Sequence, residues 1–377
     1  MNKTLYLMHR DIPVAEMRTL QMSSGNKIPI GFQQILVKNE LPVGTYSEES
    51  LIANMLFDRW LKSRMIPESR PGIQKILQKY GKTKAELFMA SAGVCITDGY
   101  YFSDDPENVK WEDVNYHDNG FDEFLLKEKL QEREEKFAKE KELPKTPDFT
   151  TDGVMEKFWC VSQGLPCLIK ADVKKPVLCA NEIVYSKISP AALAVEYNGG
   201  LLHDKIPYCI CPSFVKSPEE DFVTGLQVKH QNMQMRRTDI FRSFVEMGFK
   251  ESIQKMITLD CIFHNTDRHE NNFGYIRNCK NGEIRMAPFF DNGRCLGSDN
   301  SDKNSIRDRD MKLFSGARKE ILEQFGCKIE IDRPYALQML QETYEDFDIS
   351  EEIFVQAKNE LEYGLRLYVE TVAKNQK

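Results

Sequence analysis

Two polar segments in the C-terminal half of the chain constrain its fold more strongly than any other feature. Residues 264–274 read His-Asn-Thr-Asp-Arg-His-Glu-Asn-Asn-Phe-Gly, and residues 289–293 read Phe-Phe-Asp-Asn-Gly. Asp267 and Asn272 are five positions apart, so one loop can bring both side chains to the same pocket. A fold that also returned Asp291 to this loop would gather three oxygen-bearing side chains.

The residues between the two segments indicate how Asp291 returns. The mostly apolar run 273–276 can enter a strand, and the Asn-Gly pair at 281–282 is typical of a two-residue hairpin turn. Residues 284–290 can form the returning strand. We therefore predict a β-hairpin that places Asp291 beside the loop.

These side chains suit phosphoryl transfer, which requires a positioned hydroxyl, Mg²⁺ held against the phosphates and neutralised charge. Because Mg²⁺ prefers oxygen ligands, we expect Asp267 to orient the attacking hydroxyl and Asn272 and Asp291 to bind the metal. The alternative is that Asp267 and Asn272 are solvated turn residues. The hairpin and the second Asp favour the catalytic interpretation.

Both segments closely resemble motifs of the HipA-like serine/threonine kinases, a bacterial family. The resemblance is carried by Asn-Thr-Asp-Arg-His and Asn-Phe-Gly within 265–274 and by Ala-Pro-Phe-Phe-Asp-Asn-Gly at 287–293. It implies a kinase that uses ATP and Mg²⁺, with Asp267 and His269 in the catalytic loop.

The resemblance extends upstream to a phosphate loop at 147–153. It implies nucleotide contacts from Thr150, Thr151 and Gly153, with Lys157 on the strand that follows. Small residues and one glycine would let backbone N–H groups approach phosphate oxygens. Taken alone the segment is an ordinary turn, poorer in glycine than the loop of protein kinases. The resemblance also implies autophosphorylation of Thr150 or Thr151.

Lys170 is similar to the family's nucleotide-binding lysine, and residues 181–182 to the start of its regulatory helix. Lys170 ends an apolar stretch and requires a counter-charge, which ATP phosphates or Glu182 would supply. The alternative is an exposed lysine that reaches water. Glu182 lies near the front of a helix predicted over 181–188, where a carboxylate also suits the helix dipole.

Residues 208–214 are placed to be the hinge beside the adenine base. Backbone N–H and C=O groups of this segment would pair with the base, and Cys209 and Cys211 lie within it. The alternative, a buried strand with small polarizable side chains, is compatible with that role.

His264 and His269 could instead suggest a metal site. The surrounding sequence lacks a third histidine, a glutamate at helical spacing and a Cys-x-x-Cys pair. We therefore expect His269 to hydrogen-bond to the backbone of its loop and His264 to lie at a helix terminus.

Composition disfavours several classes of protein. The 377-residue chain has a net charge of -7, whereas direct nucleic-acid binding requires clustered Lys and Arg. Its 10 cysteines are scattered and match neither a zinc knuckle nor a disulfide framework, which fits reduced thiols in the cytoplasm. No apolar run has membrane length, and the N-terminus does not match a signal peptide.

We predict an α/β (α+β) fold class, with a bilobal protein-kinase-like fold and an additional small N-terminal domain. Residues 1–120 would form the N-terminal HipA-like α/β domain, 121–146 a charged linker or helix, 147–215 the kinase N-lobe, and 216–377 the helical C-lobe. The polar segment 298–309 would be the activation segment.

Apolar periodicity predicts the positions of the main elements. Strands are predicted over 4–8 and 28–37, and helices over 48–62, 73–80, 239–259 and 350–372. The N-lobe is predicted to contain a mostly antiparallel sheet with one helix.

These features predict transfer of the γ-phosphoryl group of ATP to a serine or threonine of a bacterial protein. Two alternatives stay open: a nucleotide-binding pseudokinase that serves as an interaction module, and a kinase for a lipid or small metabolite. The resemblance also implies a toxin role with an antitoxin-type partner protein. We expect no direct contact with nucleic acid or membrane.

Overall fold

The computed structural model describes residues 3–22, 24–70, 72–123, 145–151, 155–172, 175–202, 205–234, 239–298 and 317–373. The chain divides into two compact units. Unit 1 comprises Met1–Leu168, Val215–Thr238 and Ile276–Ile284, and unit 2 comprises Ile169–Phe214, Asp239–Tyr275 and Arg285–Lys377. Most of the predicted linker lies outside the described residues, and the four-part division of the chain stays a prediction.

Helices and strands alternate irregularly along the chain. The strands are β1 (Leu5–His9), β2 (Ile12–Gln21), β3 (Lys27–Ile35), β4 (Tyr100–Ser103), β5 (Glu156–Ser162), β6 (Leu165–Ala171), β7 (Asn198–Leu201), β8 (Pro207–Pro212), β9 (Glu220–Thr224), β10 (Gly274–Asn278) and β11 (Ile284–Met286). The helices are α1 (Ser50–Lys62), α2 (Ile73–Tyr80), α3 (Lys84–Ala90), α4 (Trp111–Val114), α5 (Tyr116–Asn119), α6 (Pro176–Ile188), α7 (Gly225–Gln234), α8 (Ile240–Glu246), α9 (Lys250–Phe263), α10 (Arg318–Phe325), α11 (Arg333–Asp346) and α12 (Glu351–Tyr368).

A four-stranded sheet with the order β3-β2-β1-β4 organises the N-terminal part of unit 1. β1 pairs antiparallel with β2 and β4, and β2 pairs antiparallel with β3. β1 and β3 confirm the strands predicted over 4–8 and 28–37. β2 was not predicted, because Pro13 weakens a strand signal and two irregularities in the register of β2 with β3 interrupt the alternation.

Helix α1 packs against this sheet and confirms the helix predicted over 48–62. Its buried face includes Phe57 and Trp60, which join a cluster with Phe32 of β3. Burying a side chain such as Phe57 contributes about 1.5–3 kcal/mol. Leu51 also lies at helical spacing, but it is 81% exposed and does not contribute to the core.

A second sheet has the order β5-β6-β8-β7, and the chain passes from unit 1 to unit 2 within β6. β7 and β8 pair antiparallel. A sheet with one helix, α6, is what was predicted for the N-lobe, and the β7–β8 pair is antiparallel as expected. A third, three-stranded sheet has the order β11-β10-β9.

Helix α9 is the central helix of unit 2, with Ile253, Met256, Ile257 and Leu259 fully buried. The prediction of one helix over 239–259 is wrong, since α8 ends before Gly248 and α9 begins at Lys250. Gly248 has φ +90°, a left-handed backbone conformation that a right-handed helix cannot contain.

Helix α12 follows the N-cap Ser350 and confirms the predicted C-terminal helix. Gly364 lets α12 approach α9 closely, because a Cβ atom at this position would lie 2.0 Å from the carbonyl oxygen of Ile262. Within the described ranges, every helix is too short or too polar to span a bilayer.

Candidate active site

The Lys170 ammonium lies between two carboxylates in unit 2. Its Nζ forms an ion pair with Glu182 Oε1 and lies 2.6 Å from Asp291 Oδ1. The side chains of Lys170 and Glu182 are 2% and 1% exposed, whereas that of Asp291 is 29% exposed. The predicted pairing of Lys170 with Glu182 is therefore present, and the alternative of an exposed, solvated lysine is wrong.

Charge at this site keeps Lys170 protonated. Burial lowers the pKa of Lys170, but the carboxylates of Asp291 and Glu182 outweigh burial and hold the pKa well above its usual value. Lys170 is thus a permanent buried cation at neutral pH.

Helix α6 begins earlier than the sequence indicated. It starts at Pro176 rather than near Asn181, so Glu182 lies in the second turn and not at the helix front. The helix dipole acts mainly on the first turn, so it does not explain this carboxylate. Glu182 instead binds Lys170 through one oxygen and accepts a 2.8 Å hydrogen bond from the Asn292 backbone N–H through the other.

The loop after α9 brings Asp267 and Asn272 together. The Asn272 Nδ2 donates to the Asp267 carbonyl oxygen at 3.1 Å, and the Asn272 N–H donates to the His269 carbonyl oxygen at 2.8 Å. Because the amide nitrogen is engaged, the side-chain oxygen of Asn272 is the atom suited to a metal. The Asp267 Oδ2 lies 3.6 Å from Arg294 Nε, and the Asp267 side chain is 18% exposed.

A hairpin follows this loop, as predicted, but its turn and returning strand differ from the prediction. The Asn278 N–H donates to the Glu283 carbonyl oxygen at 2.8 Å, so the turn contains four residues rather than two. β11 ends at Met286, and Phe289 instead forms an isolated parallel bridge with Ala194. The returning strand is therefore shorter than the predicted 284–290.

The backbone at Asp291 adopts an uncommon conformation. Asp291 has φ +58°, a left-handed region that is unusual for a residue other than glycine. Two residues later, a Cβ atom at Gly293 would lie 2.7 Å from the Leu178 carbonyl oxygen of α6. The glycine of the Asp-Asn-Gly sequence is required because the segment passes this close to the helix.

Asn181 of α6 fixes the chain that follows Asp291. Its Nδ2 donates to the carbonyl oxygens of Gly293 at 3.0 Å and Cys295 at 2.9 Å, and its Oδ1 accepts from Tyr344 Oη at 2.6 Å. Helix α6 thus carries Glu182, the partner of Lys170, and also binds the segment that follows Asp291.

Arg268, which was not predicted as a site residue, connects the two segments that carry the predicted metal ligands. Its guanidinium is fully buried and forms a two-point contact with Asp260, at 2.8 Å and 3.0 Å. It also donates to the carbonyl oxygens of Asn272 at 2.7 Å and Phe290 at 2.8 Å. Its position inside the catalytic-loop motif was the signal available, but its partners are distant in sequence.

The chain was compared with known protein families, curated sequences and solved structures. Neither a protein-family model nor a curated protein sequence matches the chain. The structure of the Shewanella oneidensis MR-1 toxin–antitoxin system, a complex of HipA, HipB and operator DNA, aligns at a TM-score of 0.52 and 11% identity over 97% of this chain and 98% of that chain. The chain has a HipA-like fold. The predicted α+β, kinase-like fold class is confirmed.

A second solved structure, that of the Helicobacter pylori proinflammatory kinase CtkA, aligns at a TM-score of 0.43 and 18% identity. This alignment covers 58% of the present chain and 89% of that chain.

The two histidines of the loop after α9 have the positions expected of structural residues. His269 Nδ1 accepts from the Asn271 backbone N–H at 3.3 Å, which confirms the predicted hydrogen bond to the loop. His264 is the C-cap of α9, as predicted for a helix terminus, and has φ +53°. Its Nδ1 contacts Glu360 Oε2 at 3.0 Å rather than His269.

The predicted phosphate loop of the HipA-like fold belongs to unit 1. Thr150 Oγ1 donates to the Pro147 carbonyl oxygen at 3.0 Å, and Thr151 Oγ1 donates to the same oxygen at 2.8 Å. Lys157 is buried on β5. Gly153 lies outside the described residues, as does nearly all of the predicted activation segment. Nucleotide binding by these residues stays a prediction.

Cys209 and Cys211 are buried on β8, a strand that has neighbours on both sides. Cys209 lies opposite Gly199 of β7. Burial raises the pKa of the Cys209 thiol well above its usual value, so this side chain is a neutral core group. A contact between adenine and this segment stays a prediction.

A separate polar cluster lies in unit 1, where Asp221 is the central residue. Asp221 accepts from Arg10 Nη2 at 2.8 Å, from Arg277 Nη2 at 2.9 Å and from the Gly99 N–H at 2.9 Å. His9 Nε2 and Cys279 Sγ also approach Asp221 Oδ2, at 3.0 Å and 3.2 Å. The imidazole, the thiol and the carboxylate could together hold a metal. Two guanidinium groups already neutralise the carboxylate, however, so the cluster fits a structural ion-pair network.

The oxygen donors of unit 2 fit Mg²⁺ better than a softer metal. Asn272 presents an amide oxygen and Asp291 a carboxylate, and hard cations prefer such ligands. Lys170 adds a positive charge beside Asp291, which suits binding of a polyanion such as a triphosphate together with the metal. These donors and this charge are of the kind that a metal–nucleotide complex would require.

Proposed function

We propose that this protein is an ATP- and Mg²⁺-dependent kinase that phosphorylates a serine or threonine hydroxyl of a protein. The observation that carries the proposal is the position of Lys170, whose ammonium contacts both Glu182 and Asp291. Protein kinases require for activity both an ion pair between a lysine and a helix glutamate and an aspartate that binds the metal. Lys170, Glu182 and Asp291 supply these residue types in one cluster.

Each residue has a distinct role in the proposed reaction. Lys170 would bind the phosphates of ATP, with Glu182 holding its ammonium in place. Asn272 and Asp291 would hold Mg²⁺. When bound, Mg²⁺ neutralises the charge of the phosphate oxygens.

Asp267 would orient the acceptor hydroxyl and accept its proton as the oxygen attacks the γ-phosphorus. The bond from the γ-phosphorus to the β,γ-bridging oxygen breaks, and ADP leaves with that oxygen. The partial exposure of Asp267 supports this role, because the acceptor must reach the carboxylate from solvent. His269 would stabilise the loop through its contact with the Asn271 N–H.

Autophosphorylation of Thr150 or Thr151 is part of the proposal. Thr150 is 8% exposed, and both hydroxyls donate to the Pro147 carbonyl oxygen, so the turn would have to open before either could be modified. Phosphopeptide mapping after incubation with Mg-ATP should find phosphate on one of them, and recovery of both threonines unmodified would remove this part.

A partner protein of the antitoxin type is also proposed, because the similar HipA structure was solved with HipB. The same likeness supports a toxin role for the kinase. Co-purification of the chain with the product of a neighbouring gene would test this part.

Transfer of label from γ-labelled ATP to proteins of a bacterial lysate tests the main proposal. We expect Mg²⁺-dependent labelling of serine or threonine by the wild type and none by Asp267→Asn. Labelling confined to lipids or small molecules would contradict a protein substrate. Absence of transfer with retained nucleotide binding would indicate a pseudokinase.

A further inference from the structure

We infer that Arg268 is a positioning residue that sets the separation between the two metal ligands, Asn272 and Asp291. The inference rests on the proposed function, because it concerns the metal site of that reaction. The inference goes beyond the proposed function, because it assigns the geometry of the metal site to one buried side chain that is not itself a proposed ligand of the metal.

One nitrogen of Arg268 binds both ligand-bearing segments. Nη1 donates to the carbonyl oxygen of Asn272 at 2.7 Å and to the carbonyl oxygen of Phe290, the residue before Asp291, at 2.8 Å. The two carbonyl groups are thus held around a single atom. A shift of either segment would break one of these hydrogen bonds.

The second terminal nitrogen binds the other side of Asp291. Nη2 donates to the side-chain oxygen of Asn292, the residue after Asp291. Asp291 is therefore flanked on both sides by contacts to the same guanidinium. Its left-handed backbone, with φ +58°, requires such support because few residues adopt this conformation without surrounding contacts.

Asp260 anchors the guanidinium to α9. Its two oxygens accept from Arg268 Nε at 2.8 Å and Nη2 at 3.0 Å. Asp260 Oδ1 also accepts from Tyr185 Oη at 3.1 Å and Asn265 Nδ2 at 3.0 Å. Because α9 and α6 both contribute to this network, the position of Arg268 is fixed by packed helices.

The network continues to the proposed catalytic aspartate. Asn265 uses its side-chain oxygen to accept from the Asp267 N–H at 3.1 Å, while its nitrogen binds Asp260. The backbone at Asp267 and both metal-ligand segments are therefore connected to the same buried ion pair. This connection explains why an arginine is needed within the motif.

A lysine could not form the same set of contacts. A guanidinium offers five donors in one plane, whereas an ammonium offers three donors around one atom. Burial lowers the pKa of Arg268, but Asp260 outweighs burial and raises it above its usual value. The side chain keeps its charge and its donors at every physiological pH.

Mn²⁺ binding measured by electron paramagnetic resonance tests the inference without relying on activity. The wild type and Arg268→Lys are titrated with Mn²⁺ in the presence of a non-hydrolysable ATP analogue. Removing an outer contact of a metal ligand typically weakens metal binding about 10–100-fold, and we expect Arg268→Lys to fall in this range. Raised Mg²⁺ should partly restore its phosphoryl transfer.

Arg64→Lys is the matched control. Arg64 is also buried, and it contacts Asp98 and the carbonyl oxygens of Gly93 at 2.8 Å and Tyr100 at 3.0 Å, all within unit 1. Its substitution should reduce thermal stability to a similar extent but leave Mn²⁺ affinity at the wild-type value.

Wild-type Mn²⁺ affinity in a folded Arg268→Lys protein would overturn the inference and leave the proposed function intact. If Arg268→Lys does not fold, Asn292→Ala removes one contact of the guanidinium and should weaken Mn²⁺ binding in the same direction. Wild-type affinity in Asn292→Ala would then overturn the inference. Failure of the wild type itself to bind Mn²⁺ with nucleotide would overturn both.

Discussion

The ammonium of Lys170 and the carboxylate of Asp291 lie 2.6 Å apart, although 121 positions separate them in the chain. Glu182 completes the contact from helix α6. The three residues come from a strand, a helix and a loop of unit 2, so the two ion pairs connect these three elements.

Replacing Lys170 by Met should destabilise the protein. Loss of one partner of a buried ion pair costs about 3–5 kcal/mol, and the lower end applies here because Asp291 is 29% exposed. Urea unfolding measures the change, with Lys187→Met as a control that removes an exposed lysine from helix α6, which carries Glu182. If the free energy of unfolding fell no more in Lys170→Met than in Lys187→Met, the result would contradict a buried ion pair at Lys170.

The pH dependence of this contribution has a defined direction. The pKa of Lys170 is raised on folding, so the stabilisation is complete below the unfolded value of 10.5 and is lost as pH rises through the higher folded pKa. The difference in unfolding free energy between wild type and Lys170→Met should therefore be equal at about pH 7 and about pH 9. A steady decrease over this interval would show that Lys170 is not the buried cation.

Replacing Asp267 by Asn should abolish transfer and leave ATP affinity nearly unchanged. Removing a positioned general base typically slows a reaction about 10²–10⁴-fold, whereas Asp267 makes no proposed contact with the nucleotide. Initial rates with labelled ATP, combined with calorimetric ATP titration, measure both quantities. Equal turnover in the variant would remove Asp267 from the reaction.

Gly293→Ala should displace the segment that carries Asp291. The added methyl group would lie 2.7 Å from the Leu178 carbonyl oxygen, and such overpacking costs about 1–3 kcal/mol. Gly200→Ala is the matched control, because a Cβ atom there meets nothing within 4 Å. We expect lower stability and weaker Mg-ATP binding in Gly293→Ala alone. Equal behaviour of the two variants would show that the close approach to α6 is unimportant.

Asp221→Asn should destabilise unit 1 in a pH-dependent manner. Burial raises the pKa of Asp221, but His9, Arg10 and Arg277 together hold it well below its usual value. A carboxylate with a depressed folded pKa stabilises the protein above its unfolded value of 3.8, and the effect is lost as pH falls through the folded pKa. The unfolding free energies of wild type and variant should converge once the pH falls below the folded pKa of Asp221. A constant difference across the acid range would contradict the assignment.

Local signals in the sequence predicted several elements closely. Helix α2 begins and ends where predicted, because Gly72 and Gly81 bound it in left-handed conformations. The catalytic-loop motif also predicted that Asp267 and Asn272 would lie together, since contacts within one loop depend little on the rest of the fold. The family resemblance supplied the pairing of Lys170 with Glu182.

Features that depend on distant contacts could not be predicted. The motif contains Arg268, but its role requires knowing that Asp260, Asn272, Phe290 and Asn292 surround it. Gly248 lies within the apolar periodicity that predicted one helix over 239–259, and its left-handed conformation ends α8. For Arg268, tertiary contacts decided the role, whereas at Gly248 a local glycine signal ended the helix.

Calorimetric titration of a non-hydrolysable Mg-ATP analogue into wild type and Asp291→Ala tests the central claim most directly. We predict that the wild type binds one equivalent and that Asp291→Ala binds at least about tenfold more weakly while remaining folded. Equal affinity in the two proteins, or no binding by the wild type, would contradict a metal–nucleotide site built around Lys170 and Asp291.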